Sequence, residues 1–284
     1  MNTVTGGLVS ADSHVNEPRD LWRSNLPPNL RDQAMTGLAA RDDGGWELVL
    51  DGRHGGQFGE TEEQRLAVLE PENRFVVMRK EGVAAECIYP TIGLNVWMLK
   101  DPDGGKFSCR IYNEWIHGQL QVQSPRFCCA GLVPTWRMED ALEEIRFIAD
   151  LGLRAIMLPT VPDNALTKQG GVSWPNWSHG DWEPLWRAIE ETGLPVVMHQ
   201  GTGHDMIWYR GPGATIANLI ATQSIAPRTA TLLATSGVLD RHPGLHFVFV
   251  EYNAGWLAWT METADYYNDA FTRLPPLDTG RERL

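Results

Sequence analysis

The chain has 284 residues, 43% of them hydrophobic, and a formal net charge of −12. That length supports one large α/β domain or two small ones. The acidic balance and the absence of a Lys/Arg stripe exclude nucleic acid as a partner class, and no apolar run is long enough to imply a membrane span.

Residues 1–5 lack the basic and apolar segments of a secretory leader, so a cytoplasmic location is expected. Cys87, Cys109, Cys128 and Cys129 show no CxxC spacing, and reduced, buried thiols are expected. Twelve Trp are unusually many and are expected to line a pocket or a subunit interface.

Residues 8–14 read as the first strand, closing on Asp12-Ser13-His14. Alternate side chains of a strand share a face, so Asp12 and His14 point together. Residues 15–69 carry little periodicity, apart from a short helix near Leu21-Trp22 and a hairpin strand, Trp46–Leu50, turning at Asp51-Gly52. This insertion is placed to cover the mouth beyond the first strand.

A helix over 70–82 leads to the second strand, 84–89, and a Gly/Asp-rich loop follows over 91–105. A helix is predicted over 107–123 with Ile111, Trp115, Ile116 and Leu120 as its apolar stripe. The third strand is 127–133. The helix Met138–Leu151 buries Leu142, Ile145, Ile148 and Ala149 and stops at Gly152. The fourth strand, 153–158, precedes a second insertion, 160–180, holding Trp174, Trp177 and His179. Asp181 opens a helix to Thr192.

The fifth strand, 194–199, is a β-branched run that ends in His199 and a Gly201-Thr202-Gly203 turn. One long helix over 218–236, a turn over 238–242, the sixth strand 245–251 closing on Glu251, a helix over 255–271 and a flexible tail over 274–284 complete the chain.

Strand and helix alternate about every 35–45 residues, the pattern of a parallel sheet with covering helices. Three apolar strands end in metal-ligand or acid/base residues: Asp12 and His14, His199, and Glu251. Their ends are expected to converge on one metal. Six strand–helix units are legible, whereas a closed (β/α)₈ barrel has eight.

The motifs Asp12-Ser13-His14-Val15-Asn16-Glu17-Pro18 with Leu21-Trp22, Tyr89-Pro90-Thr91, Tyr112-Asn113-Glu114-Trp115, Pro125-Arg126-Phe127, Val197-Met198-His199-Gln200-Gly201, Gly237–Pro243 and Glu251–Trp256 occur together and in order. In these the chain resembles the amidohydrolase-related proteins, the amidohydrolase 2 branch of the metal-dependent hydrolases. The resemblance implies a single TIM-barrel-like (β/α)₈ domain over 1–284, C-terminally incomplete at about six units. It also implies one divalent metal, zinc or manganese, held by Asp12, His14, His199 and Glu251.

His199 and Glu251 are the expected catalytic residues, Glu251 as ligand, general base or hydrogen-bond partner of a ligating His. Glu17, Trp22, His179 and His204 are expected at the substrate. The activity implied is metal-dependent hydrolysis of a small organic, aromatic or carboxylated molecule, or decarboxylation of an aromatic acid. A metal lowers the pKa of a bound water toward ~7 in the first case and clamps a carboxylate in the second.

The family's eighth-strand Asp, in a Ser-Asp-Tyr-Pro-like segment, has no counterpart: Asp265, Asp269 and Asp278 follow no apolar strand. Weak metal retention, low turnover and self-association as a homo-oligomer are therefore expected. An inactive barrel remnant or binding module is the non-enzyme alternative.

Overall fold

A computed structural model of the protein describes residues 7–35, 38–40, 46–50, 53–58, 70–162, 176–203 and 209–272. Among them, six strands form one sheet: β1 (Leu8–Val15), β5 (Val83–Pro90), β6 (Phe127–Leu132), β7 (Ala155–Leu158), β8 (Val196–His199) and β9 (Phe247–Val250). They lie in chain order, and every pairing is parallel. The central strands β7 and β8 are buried along their whole length, as an apolar run without alternation requires. A small antiparallel sheet stands apart, built from β2 (Leu38–Ala40), β3 (Trp46–Leu50) and β4 (Arg53–Phe58). The hairpin strand is thus where its sequence placed it, although the turn itself lies outside the described residues.

The large sheet curls. Four strand spacings separate β1 from β8, about 19 Å in a flat sheet. Yet His14 and His199, at the carboxyl ends of these strands, approach to 3.2 Å between ring nitrogens. The architecture is an α/β half-barrel of six parallel strands, as the alternating pattern implied.

The covering helices are α2 (Pro71–Glu81), α3 (Pro102–Gln119), α4 (Met138–Leu151), α5 (Glu183–Thr192), α6 (Ala214–Gln223), α7 (Ile225–Thr235), α8 (Val238–Arg241) and α9 (Gly255–Thr272), after a short α1 (Leu21–Asn25). Helix α4 has the bounds its periodicity gives, ending at left-handed Gly152. Helix α3 begins five residues before the expected 107. Asp101 caps it by accepting the Asp103 N–H, and Pro102 occupies the first turn. The long helix expected over 218–236 is two helices broken at Ser224, and the turn after it is the short α8.

Six of the Trp residues (Trp22, Trp97, Trp136, Trp177, Trp182 and Trp186) are buried in the core rather than lining a pocket or interface. Trp177 packs at a tilt on Trp182 and edge-on to Trp186, and its indole N–H donates to the carbonyls of Pro159 and Thr160. Helix α3 is tied to the sheet by Asn113, whose amide donates to the Leu132 carbonyl and accepts the Leu132 N–H. Buried Glu144 of α4 completes that link, accepting from Asn113 and Arg110.

His242, buried just after α8, bridges two carboxylates of α5: Glu183 at 2.9 Å and Glu190 at 3.0 Å. Burial lowers its pKa, but the two carboxylates overcome this and raise it above the ordinary 6.5. A group whose pKa is raised by folding stabilises fully below its unfolded value and loses that contribution as pH rises through the folded one. The urea midpoint of the wild-type chain should therefore exceed that of His242→Gln most at pH 6, and the gap should narrow by pH 9. A gap independent of pH would show that the ion pairs are idle.

Candidate metal centre

The amino-terminal half of the site is built on β1. A register shift between Ser10 and Ser13 against β5 puts an extra residue in the strand just where Asp12 sits. Buried Arg74 of α2 fixes the segment: its guanidinium donates to Ser13 Oγ, to the His14 carbonyl and to Glu86, with which it forms a buried ion pair. Tyr89 lies edge-on to both His14 and His199, its hydroxyl donating to the Ala11 carbonyl.

His14 Nδ1 is 2.9 Å from the Pro90 carbonyl, and His199 Nδ1 is 2.7 Å from the Gln200 carbonyl. A carbonyl only accepts, so both Nδ1 atoms carry the proton. In the neutral rings both Nε2 lone pairs then face each other across 3.2 Å. Asp12 Oδ1 stands 3.3 Å from His14 Nε2 and 3.5 Å from His199 Nε2. Burial alone would raise the Asp12 pKa, yet the two imidazoles beside it, wherever they hold a proton, keep it well below the usual carboxylate range. Burial lowers the pKa of His14, but Asp12, the Pro90 carbonyl and the charge of Glu251 outweigh it and raise it. Three acceptors around one gap need a cation there, either a shared proton or a metal ion.

Glu251, the residue after β9, adds its carboxylate 3.9 Å from His199 Nδ1. One ligand atom from each of Asp12, His14, His199 and Glu251 lies within 4.8 Å of all the others. Glu251 has φ +65° and Asn253 φ +57°, a conformation uncommon for residues other than glycine. This kink turns the Glu251 side chain back over the strand ends. Between the two, Tyr252 is buried and donates to Thr160 Oγ1. Thr160 in turn donates to the His199 carbonyl, which also accepts from Thr202.

Beside the cluster lies an open cleft of about 390 Å³ lined by Gln200, Leu219, Gln223, Glu251 and Asn253. Its amides are chained: Asn253 donates to Gln223, Gln223 to Gln200, and Gln200 to Thr222. Sequence reading did not single out Gln200, Gln223 or Asn253 as site residues. Gln200 and Asn253 were signalled only by following His199 and Glu251 at strand ends. Gln223, on a helix, carried no signal.

Of the residues expected at substrate, Glu17, Trp22 and His179 do not gather here. Glu17 is buried, and its carboxylate accepts the N–H groups of Ile92 and Gly93; burial raises its pKa against those hydrogen bonds. Trp22 is fully buried, donating to the Ser108 carbonyl. Both serve the packing of the segment after β1 against residues 92–93 and α3. His179 lies on the surface and pairs with Asp181, while His204 lies outside the described residues. Asp265 and Asp269 sit on α9, away from any strand end, and Asp278 is likewise outside. No helix among the described residues is long and apolar enough to cross a membrane.

A family model described as amidohydrolase matches residues 11–279. Among curated proteins none matches the chain. Of solved structures, an amidohydrolase from Mycobacterium avium subsp. paratuberculosis aligns over 97% of this chain and 81% of its own, with TM-score 0.71 and 15% identity. A 2,6-dihydroxybenzoate decarboxylase from Rhizobium aligns over 98% and 76%, with TM-score 0.61 and 19% identity. A dihydroxybenzoic acid decarboxylase from Polaromonas, with bound manganese and the inhibitor 2-nitroresorcinol, aligns over 98% and 74%, with TM-score 0.61 and 17% identity. At such identities the likeness is one of fold.

Proposed function

Because the chain belongs to the amidohydrolase family, we propose that Asp12, His14, His199 and Glu251 hold one divalent metal and that the protein is a metal-dependent hydrolase of a small organic substrate. The observation that carries this reading is the pair of bare imidazole nitrogens 3.2 Å apart beside an ionised carboxylate. Two imidazoles and two carboxylates suit zinc or manganese. When bound, such an ion supplies Lewis-acid polarisation of a carbonyl or carboxyl oxygen.

The chain's own residues do the rest. The Pro90 and Gln200 carbonyls fix the tautomers of His14 and His199. Glu251 faces both the cluster and the cleft, so its carboxylate takes the proton of an attacking water and returns it to the leaving group. The linked amides of Gln200, Gln223 and Asn253 orient polar substituents of the substrate.

A second reading, decarboxylation of a hydroxylated aromatic acid, is supported by the decarboxylases that share the fold. A homo-oligomer is supported by the exposed Ile216 and Ile220 on α6 and Trp259, Met261 and Tyr266 on α9.

The chelated protein, reloaded with Zn²⁺ or Mn²⁺, should be offered aryl amides bearing a carboxylate and, in parallel, 2,6-dihydroxybenzoate. Metal-dependent release of amine and acid is expected, reduced about 10²–10⁴-fold in Glu251→Gln. Carbon dioxide release alone would establish decarboxylation instead. Stoichiometric metal with neither product would overturn both.

A further inference from the structure

We propose that Cys87 and Cys128 form a redox-active dithiol on the inner wall of the half-barrel, closing to a disulfide when a peroxide oxidises it. The two are register partners on the parallel pair β5 and β6. Directly opposed residues on neighbouring strands share a face, and their Cα atoms lie about 4.8 Å apart, inside the 4.4–6.8 Å that a disulfide spans. Their side chains therefore leave the sheet side by side. Both are partly exposed, whereas Cys109 and Cys129 are buried.

The asymmetry of the pair favours the chemistry. The neighbouring Cys87 thiol makes Cys128 the more acidic of the two against its own partial burial, helped by the charge of Arg154. The same contact, with burial, pushes Cys87 up. Burial also pushes Cys109 and Cys129 up, which leaves Cys128 as the nucleophile. Its thiolate attacks one peroxide oxygen. An S–O bond forms, the O–O bond breaks, and the departing hydroxide takes the Cys87 proton and leaves as water. The Cys87 sulfur then attacks the sulfenic sulfur of Cys128. The S–S bond forms, the S–O bond breaks, and hydroxide leaves, completing a second water with the proton first released from Cys128. Two thiols lose two electrons and hydrogen peroxide gains them. The partial exposure of both cysteines leaves the bond open to reduction by a dithiol.

The position gives the bond a consequence. Cys87 is two residues from Tyr89 on the same face of β5. Tyr89 packs on both imidazoles of the cluster. Drawing Cys87 toward β6 pulls on the strand segment that carries this ring, against which His14 and His199 rest. The thiol chemistry itself is independent of whether a metal is bound.

The test treats the folded full-length chain with stoichiometric hydrogen peroxide, then counts free thiols in denaturant and maps linked peptides by mass spectrometry. Two of the four thiols should be lost, in a Cys87–Cys128 linked peptide, and recovered with dithiothreitol. The linkage should vanish in Cys87→Ser and in Cys128→Ala and persist in Cys109→Ser. Four surviving thiols, a bond to Cys129 or between chains, or Cys128 sulfinic acid without a disulfide would each overturn the proposal. Circular dichroism of the variants separates a misfolded chain from a missing bond, and the wild-type thiol count decides even if a variant misfolds.

Discussion

Replacing His199 by alanine is expected to abolish stoichiometric metal binding while leaving the metal-free chain as stable as before, or more so. His199 is 1% exposed, and its Nε2 faces His14 Nε2 and Asp12. Loss of a supporting hydrogen-bond partner costs metal sites about 10–100-fold in affinity, so loss of a ligand itself should cost roughly 1,000-fold or more. The stability side runs the other way. In the metal-free protein the two Nε2 atoms and the Asp12 carboxylate crowd one gap with at most a shared proton between them, so removing one imidazole relieves that crowding. The cavity left by the imidazole offsets part of that relief. Metal content after dialysis and the thermal midpoint with and without chelator give both readings. Unchanged metal content in His199→Ala would place the ion elsewhere, and a metal-free midpoint that collapses would make His199 a core residue.

The second large effect concerns stability and the turn that aims His199. Gly203 has φ +72°, and a Cβ there would lie 2.0 Å from the Val161 carbonyl oxygen. Left-handed backbone alone costs an L-residue about 1–2 kcal/mol. A backbone overlap of this depth forces the loop to move, and about 3–5 kcal/mol is expected for Gly203→Ala, a large share of an ordinary domain's stability. Gly152 supplies the control. It has φ +91° with nothing within 4 Å of a Cβ, so its alanine variant should show the conformational cost alone. Equal urea midpoints for the two variants would remove the close approach from the account. The displaced turn also carries Thr202, which accepts the Thr160 N–H and donates to the His199 carbonyl. Metal affinity should therefore fall with stability in Gly203→Ala and not in Gly152→Ala.

The parts of this arrangement that sequence makes legible are those written in local pattern. Apolar runs closing on Asp12, His14, His199 and Glu251 announce strand ends, and the alternation of strand and helix announces the sheet that gathers them. The core of α4 was legible for the same reason, although Asp140 and Glu144 take buried places that the stripe assigned to Leu142 and Ala149. What stays hidden is contact at long separation. Arg74 reaching Ser13, Tyr252 reaching Thr160 and Gln223 reaching Glu251 have no periodic signature. Glu17 and Trp22 mislead through proximity, because they follow Asp12 and His14 closely in sequence. A carboxylate that can satisfy two backbone N–H groups, and an indole that can be wholly buried, go to the packing instead. The same preference for burial draws Trp177, Trp182 and Trp186 into the core.

The curl of the sheet makes the gap between the imidazoles a measure of the whole arc. His14 and His199 are 185 residues apart in sequence and four strand steps apart in the sheet. Each step contributes its own twist, and those angles add before they reach the ring nitrogens. Distant packing is therefore geared to the site. Gly131, in the middle of β6, lets Ile148 of α4 lie where its Cβ would be, 2.7 Å from the Ile148 side chain. A methyl group there would press on the side chains of Ile148 and Leu153, and any shift of α4 that relieves the pressure is passed to the sheet at β6. The fingertips of a hand part in the same way when a middle knuckle straightens, and residues that never touch an ion set the aperture offered to it.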